Sequence, residues 1–357
     1  MNNRGLLRFA ILAGMTFFWI MAIVAFLYAG TISQLFTKGK SINVLVWGQV
    51  LDTEYLADFE KETGIHVNMS YFENNEEVFV KLRSTEQHDY DIIMPSDWAA
   101  QLLIEEGHIK QLDRSKIDVW PDLYPALCNH YFDPHNDYTI PFYWSLFGLG
   151  VDINYFNGML PPATWKLVFD ERMMPQHIAM VEDSRPLILM AALYLFGRFE
   201  KLQKNEIDQI KKLLLQQKQR VEIYTDARPE YVLASQVVPV AVGLLGDFLK
   251  VMRRYKNIEF LIPQEGGFVE VVSFAITSTT QKDDLIYPFL NYLFRRDIVK
   301  KYVDKFDFFP AIAIDVEYDD RFIQFIRPTK ELFNKVHFFK NVISSDALND
   351  VLIALKS

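Results

Sequence analysis

The side chains that most often carry out chemistry are sparse and scattered along this chain of 357 residues. It contains a single cysteine, Cys128, and seven histidines with no helical i, i+4 pair among them: His66, His88, His108, His130, His135, His177 and His337. One cysteine allows neither an intrachain disulfide nor a cysteine-based metal site. Phosphate-binding glycine loops, the His-Glu-x-x-His motif and the Gly-x-Ser-x-Gly elbow are absent. We therefore predict no catalytic residues, no metal site, no cofactor and a protein that is not an enzyme.

A few residues stand where open α/β sheets bind their ligands, at the carboxyl ends of strands. Trp47 ends an apolar, β-branched strand over residues 42–47. Ser96 and Asp97 follow a second apolar strand over residues 91–94, and their types make them a helix N-cap pair. Trp98 stands in the first turn of that helix and faces either a cleft or the core. These residues are candidates for ligand contact, and packing or capping is the alternative for each.

The elements that would position these residues alternate between strands and helices. Residues 42–47, 65–72 and 91–94 read as strands, and each is followed by a helical pattern, which predicts a mostly parallel sheet with right-handed crossovers. Two long extended stretches, residues 138–151 and 269–277, then separate this region from a second α/β region. Two crossings between two α/β lobes predict a clamshell.

The N-terminus carries a different signal. Residues 9–28 are apolar and uncharged, and Arg4 and Arg8 precede them. A helix of twenty residues spans about 30 Å, the thickness of a bilayer core, and the two arginines favour a cytoplasmic N-terminus. The segment is either an uncleaved transmembrane anchor or a removed signal peptide. In both cases the remainder, from about residue 41, is expected on the periplasmic side of a bacterial inner membrane.

The amino-acid composition argues against several classes of protein. Half of the residues are hydrophobic and 15% are aromatic, which excludes a disordered chain. The formal net charge of −9 disfavours nucleic acid as a partner. The length beyond the N-terminal segment is sufficient for two domains. We expect a monomer.

Several blocks of sequence, in colinear order, resemble the bacterial spermidine/putrescine-binding proteins. They are WGQVLDTEYLADFEKETGI from Trp47, YFENNE at 71–76, YDIIMPS at 90–96, FDPHNDYTIPFYW at 132–144, EDSR at 182–185, QEGG at 264–267 and NYLFRRD at 291–297. The likeness covers nearly all of residues 42–310. It implies a type II periplasmic-binding-protein fold, in which two lobes close on a solute and deliver it to the permease of an ABC importer. The implied solute is a polyamine such as spermidine or putrescine.

The resemblance also implies domain bounds and binding residues. After the N-terminal segment, 1–40, lobe 1 would comprise residues 41–148 and 275–310, and lobe 2 residues 149–274 and 311–357. Four side chains match ligand positions of the family: Trp47 an aromatic one, Asp183 a carboxylate, Ser96 a polar one and Thr225 a serine. We expect Asp97 and Trp98, beside Ser96, to contribute to the same site.

Other family positions are changed in this chain. Gln49 replaces an acid and Val50 an aromatic residue, Pro186 falls at a glutamate, and Val272 falls at an aspartate that contacts amine. Residues 243–246 replace a stretch that carries a tryptophan. Glu270, two residues before Val272, would point to the same face of its strand and would restore one charge.

The sequence therefore does not identify the ligand. The pocket would hold fewer acids than that of a polyamine binder, and a different solute, either another cation or an anion at helix N-termini, is the first alternative. A lobe-closing enzyme and a sensor domain are the others.

Overall fold

The computed structural model describes residues 14, 15, 19, 40–48, 50–84, 90–225, 228–315, 322 and 325–356. The predicted N-terminal helix over residues 9–28 lies outside these residues, apart from Gly14, Met15 and Trp19. Among the described residues, no helix has both the length and the apolar character needed to cross a bilayer.

The described chain folds into a mixed α/β structure whose strands belong to a single sheet. The strands are β1 (Ser41–Trp47), β2 (His66–Phe72), β3 (Ile92–Ile93), β4 (Thr139–Asp152), β5 (Ile178–Met180), β6 (Val221–Tyr224), β7 (Val240–Leu244), β8 (Ile258–Leu261), β9 (Gly267–Ile276), β10 (Phe309–Pro310) and β11 (Val336–Phe338).

Helices connect and flank these strands. They are α1 (Ala57–Thr63), α2 (Asn75–Ser84), α3 (Asp97–Glu105), α4 (Lys166–Phe169), α5 (Ser184–Phe196), α6 (Lys204–Gln217), α7 (Pro229–Ala234), α8 (Leu245–Met252), α9 (Asp283–Leu293), α10 (Arg296–Phe306), α11 (Lys330–Phe333) and α12 (Ser345–Lys356). A 3₁₀ turn, Thr53–Leu56, leads into α1, which ends at Gly64 with φ 67°. Glycine adopts this left-handed conformation without steric cost.

The sheet is parallel at both ends and antiparallel in the middle. Its principal path runs β2-β1-β3-β9-β4-β7-β5-β6. β1 pairs in parallel with β2 and β3, and β5 pairs in parallel with β6 and β7. β4 and β9 run antiparallel to each other and to β7 and β3, respectively. The α/β fold class is thus confirmed, and parallel pairing holds in the two outer parts.

The two central strands are the extended stretches predicted from the sequence. β4 and β9 pair from Thr139 opposite Ala275 to Phe147 opposite Phe268, with one irregularity between Pro141 and Tyr143. Thirteen of the fourteen residues of β4 are buried, as expected where helices cover both faces of a sheet. These strands join the β1–β3 part of the sheet to the β5–β7 part.

The apolar side chains form two clusters that follow the alternation of the strands. Val44 and Val46 of β1 belong to one cluster and Leu45 to the other, because successive side chains of a strand point to opposite faces. The C-terminal helix α12 packs on α5 and α6. The carboxyl ends of β1 and β3 lie side by side, because Leu45 of β1 pairs with Ile93 of β3.

Candidate functional site

Trp47 lies at the carboxyl end of β1. Its indole packs against Phe72, the last residue of β2, with 4.6 Å between ring centroids. Leu45 pairs with Ile93 in β3, so Trp47 shares its edge of the sheet with the residues that follow β3. The indole Nε1 is buried and makes no hydrogen bond with any described residue. Trp47 therefore brings an aromatic surface and an unused hydrogen-bond donor to this edge.

Ser96 connects three elements just beyond β3. It is fully buried, and its Oγ accepts a hydrogen bond from Nδ2 of Asn75 at 2.7 Å. Its backbone bridges to Val272 of β9, and the N–H of Ser273 donates to the carbonyl of Pro95 at 3.1 Å. Ser96 occupies the N-cap position of α3, but its side chain does not cap the helix. Ser96 fixes the start of α3 against α2 and β9.

Asp97 is a buried carboxyl with one oxygen unused. Oδ1 accepts from the N–H of Trp98 at 2.7 Å, whereas Oδ2 has no hydrogen-bond partner in the described chain. Burial raises the pKa of Asp97 well above its usual value, and the nearby Glu270 raises it further. The backbone N–H groups of Trp98 and Val271 lower that pKa in part. A buried carboxyl of this kind is readily stabilised in its charged form by a cation.

Trp98 faces a cation supplied by the protein itself. It stacks near Phe79, with 6.2 Å between ring centroids, and the guanidinium carbon of Arg185 lies 4.1 Å from the centroid of the Trp98 ring. Arg185 is 6% exposed, and its Nη1 donates to Oδ1 of Asn341 at 2.7 Å. Its Nε is buried without a hydrogen-bond partner among the described residues. The contact links α3 to α5 by a cation–π interaction.

Asp183 and Thr225 follow two neighbouring strands. Asp183 is the N-cap of α5, and its carboxylate accepts from the N–H of Arg185 at 2.9 Å. The N–H of Thr225 donates to the carbonyl of Met180 at 2.8 Å, so it stays beside the end of β5. Both residues are half-buried. Asp183 thus caps α5 through one carboxylate oxygen.

Glu270 lies in β9 opposite Ser145 of β4. Burial raises its pKa to about 7, and the charge of Asp183 adds to that shift. Glu270 in turn raises the pKa of Asp97. We call Asp97, Glu270 and Asp183 the acid cluster: the charge of Asp183 makes Glu270 harder to ionise, and the charge of Glu270 does the same to Asp97.

The structure thus brings most of the predicted residues to one region. The acid cluster comprises side chains of α3, of β9 and of the residue that caps α5. Trp98 contacts Arg185 of α5. Trp47 and Ser96 lie at the same edge of the sheet. Thr225 directly follows β6, which pairs with β5. A cation that entered this region would replace repulsion between carboxyls by attraction, with aromatic rings beside it.

A family model for bacterial extracellular solute-binding proteins matches residues 89–323, more than half of the chain. The chain belongs to this family. The match contains α3, Arg185 and β9, so the acid cluster of this solute-binding protein lies within the family's own segment. The resemblance noted from the sequence is confirmed.

Individual relatives of this solute-binding protein are named for the solutes they bind. The solute-binding protein is 27% identical to the putrescine-binding periplasmic protein of Escherichia coli over 305 residues, which covers 79% of this chain and 80% of that one. It is 26% identical over 262 residues to the spermidine/putrescine-binding periplasmic protein of Salmonella typhimurium, covering 71% and 73%. A solved structure described as a putative spermidine/putrescine ABC transporter from Listeria monocytogenes has a TM-score of 0.77 at 22% identity, covering 89% of this chain and 99% of that one.

The positions where this solute-binding protein departs from the family pattern are mostly core positions. Val50 is 7% exposed and Val272 is fully buried, so both contribute packing and no charge. Pro186 lies in the first turn of α5, and Gln49 lies outside the described residues. A Cβ at Gly243 would come within 2.7 Å of Pro229, so the backbone there has no room for a tryptophan without rearrangement.

Sequence reasoning did not single out several residues near the acid cluster. Arg185 is the first case: its stacking on Trp98 joins residues distant in sequence and leaves no local signal in either segment. Tyr143 of β4 is a second case: burial raises its pKa, and both Glu270 and Asp247 raise it further. Asp247 in α8 is already paired with Lys250 at 3.1 Å.

Glu230 in α7 is a further buried acid that the sequence did not mark. It is 1% exposed, and its Oε2 lacks a hydrogen-bond partner among the described residues. Burial raises its pKa to about 6, with a further contribution from Asp247. No cluster of three or more metal-ligating side chains occurs in the part of the chain that the structure describes.

Proposed function

We propose that this protein is the solute-binding component of an ABC importer and that it binds a small cationic solute of the polyamine class. The observation that carries the proposal is the acid cluster of Asp97, Glu270 and Asp183, which lies between α3, β9 and α5 with Trp47 and Trp98 nearby. Relatives along most of the chain are named for putrescine and spermidine binding in the periplasm, which supports the same ligand class.

The chemistry of such a solute fits the cluster. An ammonium group removed from water needs a carboxylate partner, and buried carboxyls with raised pKa values gain most from a new cation. Methylene stems pack against aromatic rings, and an ammonium over such a ring gains about 0.5–2 kcal/mol. Asp97 and Glu270 would hold the ammonium group, Asp183 would supply long-range attraction, and Trp47 would cover the stem. Ser96 and Thr225 would hold the backbone elements around it.

Binding would be coupled to closure rather than to catalysis. We infer that residues 41–148 with 275–310, and residues 149–274 with 311–357, form two lobes joined by β4 and β9. A solute that contacts α3 on one side and α5 on the other would shift the population towards the closed form. The permease would then distinguish the closed form from the open one. Members of this family bind and transport solutes, and no step in this proposal requires chemistry on the ligand.

A ligand-dependent rise in stability tests the proposal. Putrescine or spermidine at a hundredfold excess over the dissociation constant should stabilise the purified full-length protein by about 2.7 kcal/mol, because only the folded state binds. A thermal melt with and without ligand measures the effect. 1,4-Butanediol, which has the same stem without charge, serves as the control. Unchanged melting in millimolar spermidine and putrescine would reject the polyamine class and leave the fold assignment intact.

The membrane attachment is a separate proposal. We infer that residues 9–28 deliver the chain to the periplasmic side of a bacterial inner membrane, as an anchor or as a signal peptide. An anchored chain should stay in the membrane fraction after a high-salt wash, because apolar burial is not screened by salt. Sequencing the mature N-terminus distinguishes the two forms, since a start near Gly30 means that the segment has been removed.

A further inference from the structure

Two buried donors, one on α5 and one at the end of β1, are groups that a polyamine has no means to satisfy. Nε1 of Trp47 and Nε of Arg185 are each buried and without a hydrogen-bond partner among the described residues. Both are N–H groups that only donate. A polyamine at neutral pH carries ammonium groups, which also only donate. Since a buried unpaired donor costs free energy, these two atoms indicate a solute that also carries an acceptor.

Arg185 also occupies an aromatic face that a second cation would need. Its guanidinium lies 4.1 Å from the centre of the Trp98 ring and is held by Asn341. Arginine stays protonated inside proteins, so a solute cation that approached this face would meet a fixed positive charge. The indole of Trp98 is thereby reserved for the protein's own side chain.

The acids of the region suit one ammonium group rather than two. Asp183 and Glu76 already act on the charge of Arg185, so the acids left for a solute cation are Asp97 and Glu270. The family positions occupied here by Val50 and Val272 add no acid, since both side chains are apolar and buried. Asp247, the next acid along the region, is already paired with Lys250.

We propose that the solute carries one ammonium group on an alkyl stem and a carbonyl oxygen at its other end, which accepts from Arg185 and Trp47. This inference rests on the proposed function and narrows its ligand class. Two kinds of compound share this chemistry: an N-acylated diamine, whose acceptor is a neutral amide, and an ω-amino acid, whose acceptor is a carboxylate. Both keep the ammonium for the acid cluster.

Isothermal titration of the purified full-length protein at pH 8 tests the inference with three probes of similar stem length. They are putrescine, N-acetylputrescine and 4-aminobutanoate. We expect one of the two carbonyl-bearing probes to bind at least about tenfold more tightly than putrescine, since each gains hydrogen bonds to groups that are otherwise unpaired. Which of the two binds more tightly identifies the source of the acceptor.

Variants then assign the preference to the two donors. Arg185→Met should reduce the ratio of affinities for the preferred probe and putrescine towards one. Trp47→Phe keeps an aromatic ring, removes only the N–H, and should reduce the same ratio by several-fold, so the inference stays testable if Arg185→Met does not fold. Arg83→Met is the matched control, because Arg83 is an exposed arginine that lies over Phe79 and pairs with Glu106. The ratio of affinities for the preferred probe and putrescine should be the same in Arg83→Met as in the parent protein.

The outcomes distinguish this inference from the proposal that the protein binds a solute of the polyamine class. Putrescine binding as tightly as both carbonyl-bearing probes overturns the inference and leaves the polyamine proposal standing. A preference that persists unchanged in both Arg185→Met and Trp47→Phe overturns the assignment of the acceptor to these donors. Absence of binding by all three probes and by spermidine rejects the proposed function itself.

Discussion

Replacing Glu270 by glutamine should weaken the binding of an amine solute by about 1.5–3 kcal/mol, or roughly ten- to a hundredfold. The amide preserves the size of the side chain and removes its charge, so Asp97 is left as the only acid of β9 and α3 that can pair with the ammonium. Asp183→Asn should weaken binding less, because Asp183 acts on the cluster through its charge and caps α5. Isothermal titration at pH 8 measures both effects.

The raised pKa of Glu270 predicts that the affinity for an amine solute depends on pH. Burial and Asp183 raise the pKa of Glu270 from 4.5 to about 7 in the free protein. A bound cation stabilises the carboxylate, so binding must expel a proton below this value. Affinity should therefore fall as the pH decreases through about 7. Asp97 adds a proton that is also released on binding, because its own pKa is raised.

Stability without ligand should depend on pH in the opposite direction. A carboxyl whose pKa is higher in the folded state than in the unfolded state binds more protons when folded, so its contribution to the free energy of unfolding falls as the pH rises from about 4.5 to 7. Ligand should offset this loss. The thermal shift caused by an amine is therefore expected to be larger at pH 8 than at pH 6.

A matched control separates the local effect from a general loss of charge. Glu222 of β6 is exposed and pairs with His177 at 3.0 Å, so Glu222→Gln changes the net charge equally at a distance from the cluster. It should bind like the parent at every pH. If Glu270→Gln binds as tightly as the parent between pH 6 and 8, Glu270 does not contact the cation, and the idea of a shifted charge is wrong.

The fold was largely predictable because its elements carry local signals. The strand predicted at residues 42–47 is β1, and the extended stretches predicted at 138–151 and 269–277 are β4 and β9. Apolar and β-branched runs of this kind specify strands without any knowledge of their neighbours. Strand boundaries differ where pairing decides them: the stretch predicted at 269–277 is observed at Gly267–Ile276, because pairing with β4 extends the strand to Phe268.

The candidate site was less predictable, since its properties arise between residues distant in sequence. The types of Asp97 and Glu270 were visible, but their electrostatic coupling depends on the approach of α3 to β9. Ser96 was expected to cap α3 and instead bonds to Asn75, 21 residues away in sequence. Arg185 lies over Trp98 although 87 positions separate them. No periodicity or motif specifies contacts of this range.

Two roles are open to Trp144, ligand contact and packing, and its truncation should have a large effect on stability. It is fully buried in β4 and packs against Phe309 and Phe333, with ring centroids 5.4 and 5.7 Å away. Trp144→Ala should therefore lower the free energy of unfolding by about 3–5 kcal/mol through lost burial and an unfilled cavity. Urea unfolding of the parent and the variant measures the difference.

The pattern of effects distinguishes the two roles of Trp144. A packing role predicts a lower urea midpoint, with solute affinity unchanged in the fraction that remains folded, since Phe309 and Phe333 belong to the core and to the C-terminal segment. Tyr155→Ala is the control, because Tyr155 is 53% exposed and its truncation should change stability by less than about 0.5 kcal/mol. A variant that retains parental stability but loses solute binding would show that the indole of Trp144 reaches the ligand, which would extend the binding region from the acid cluster along β4.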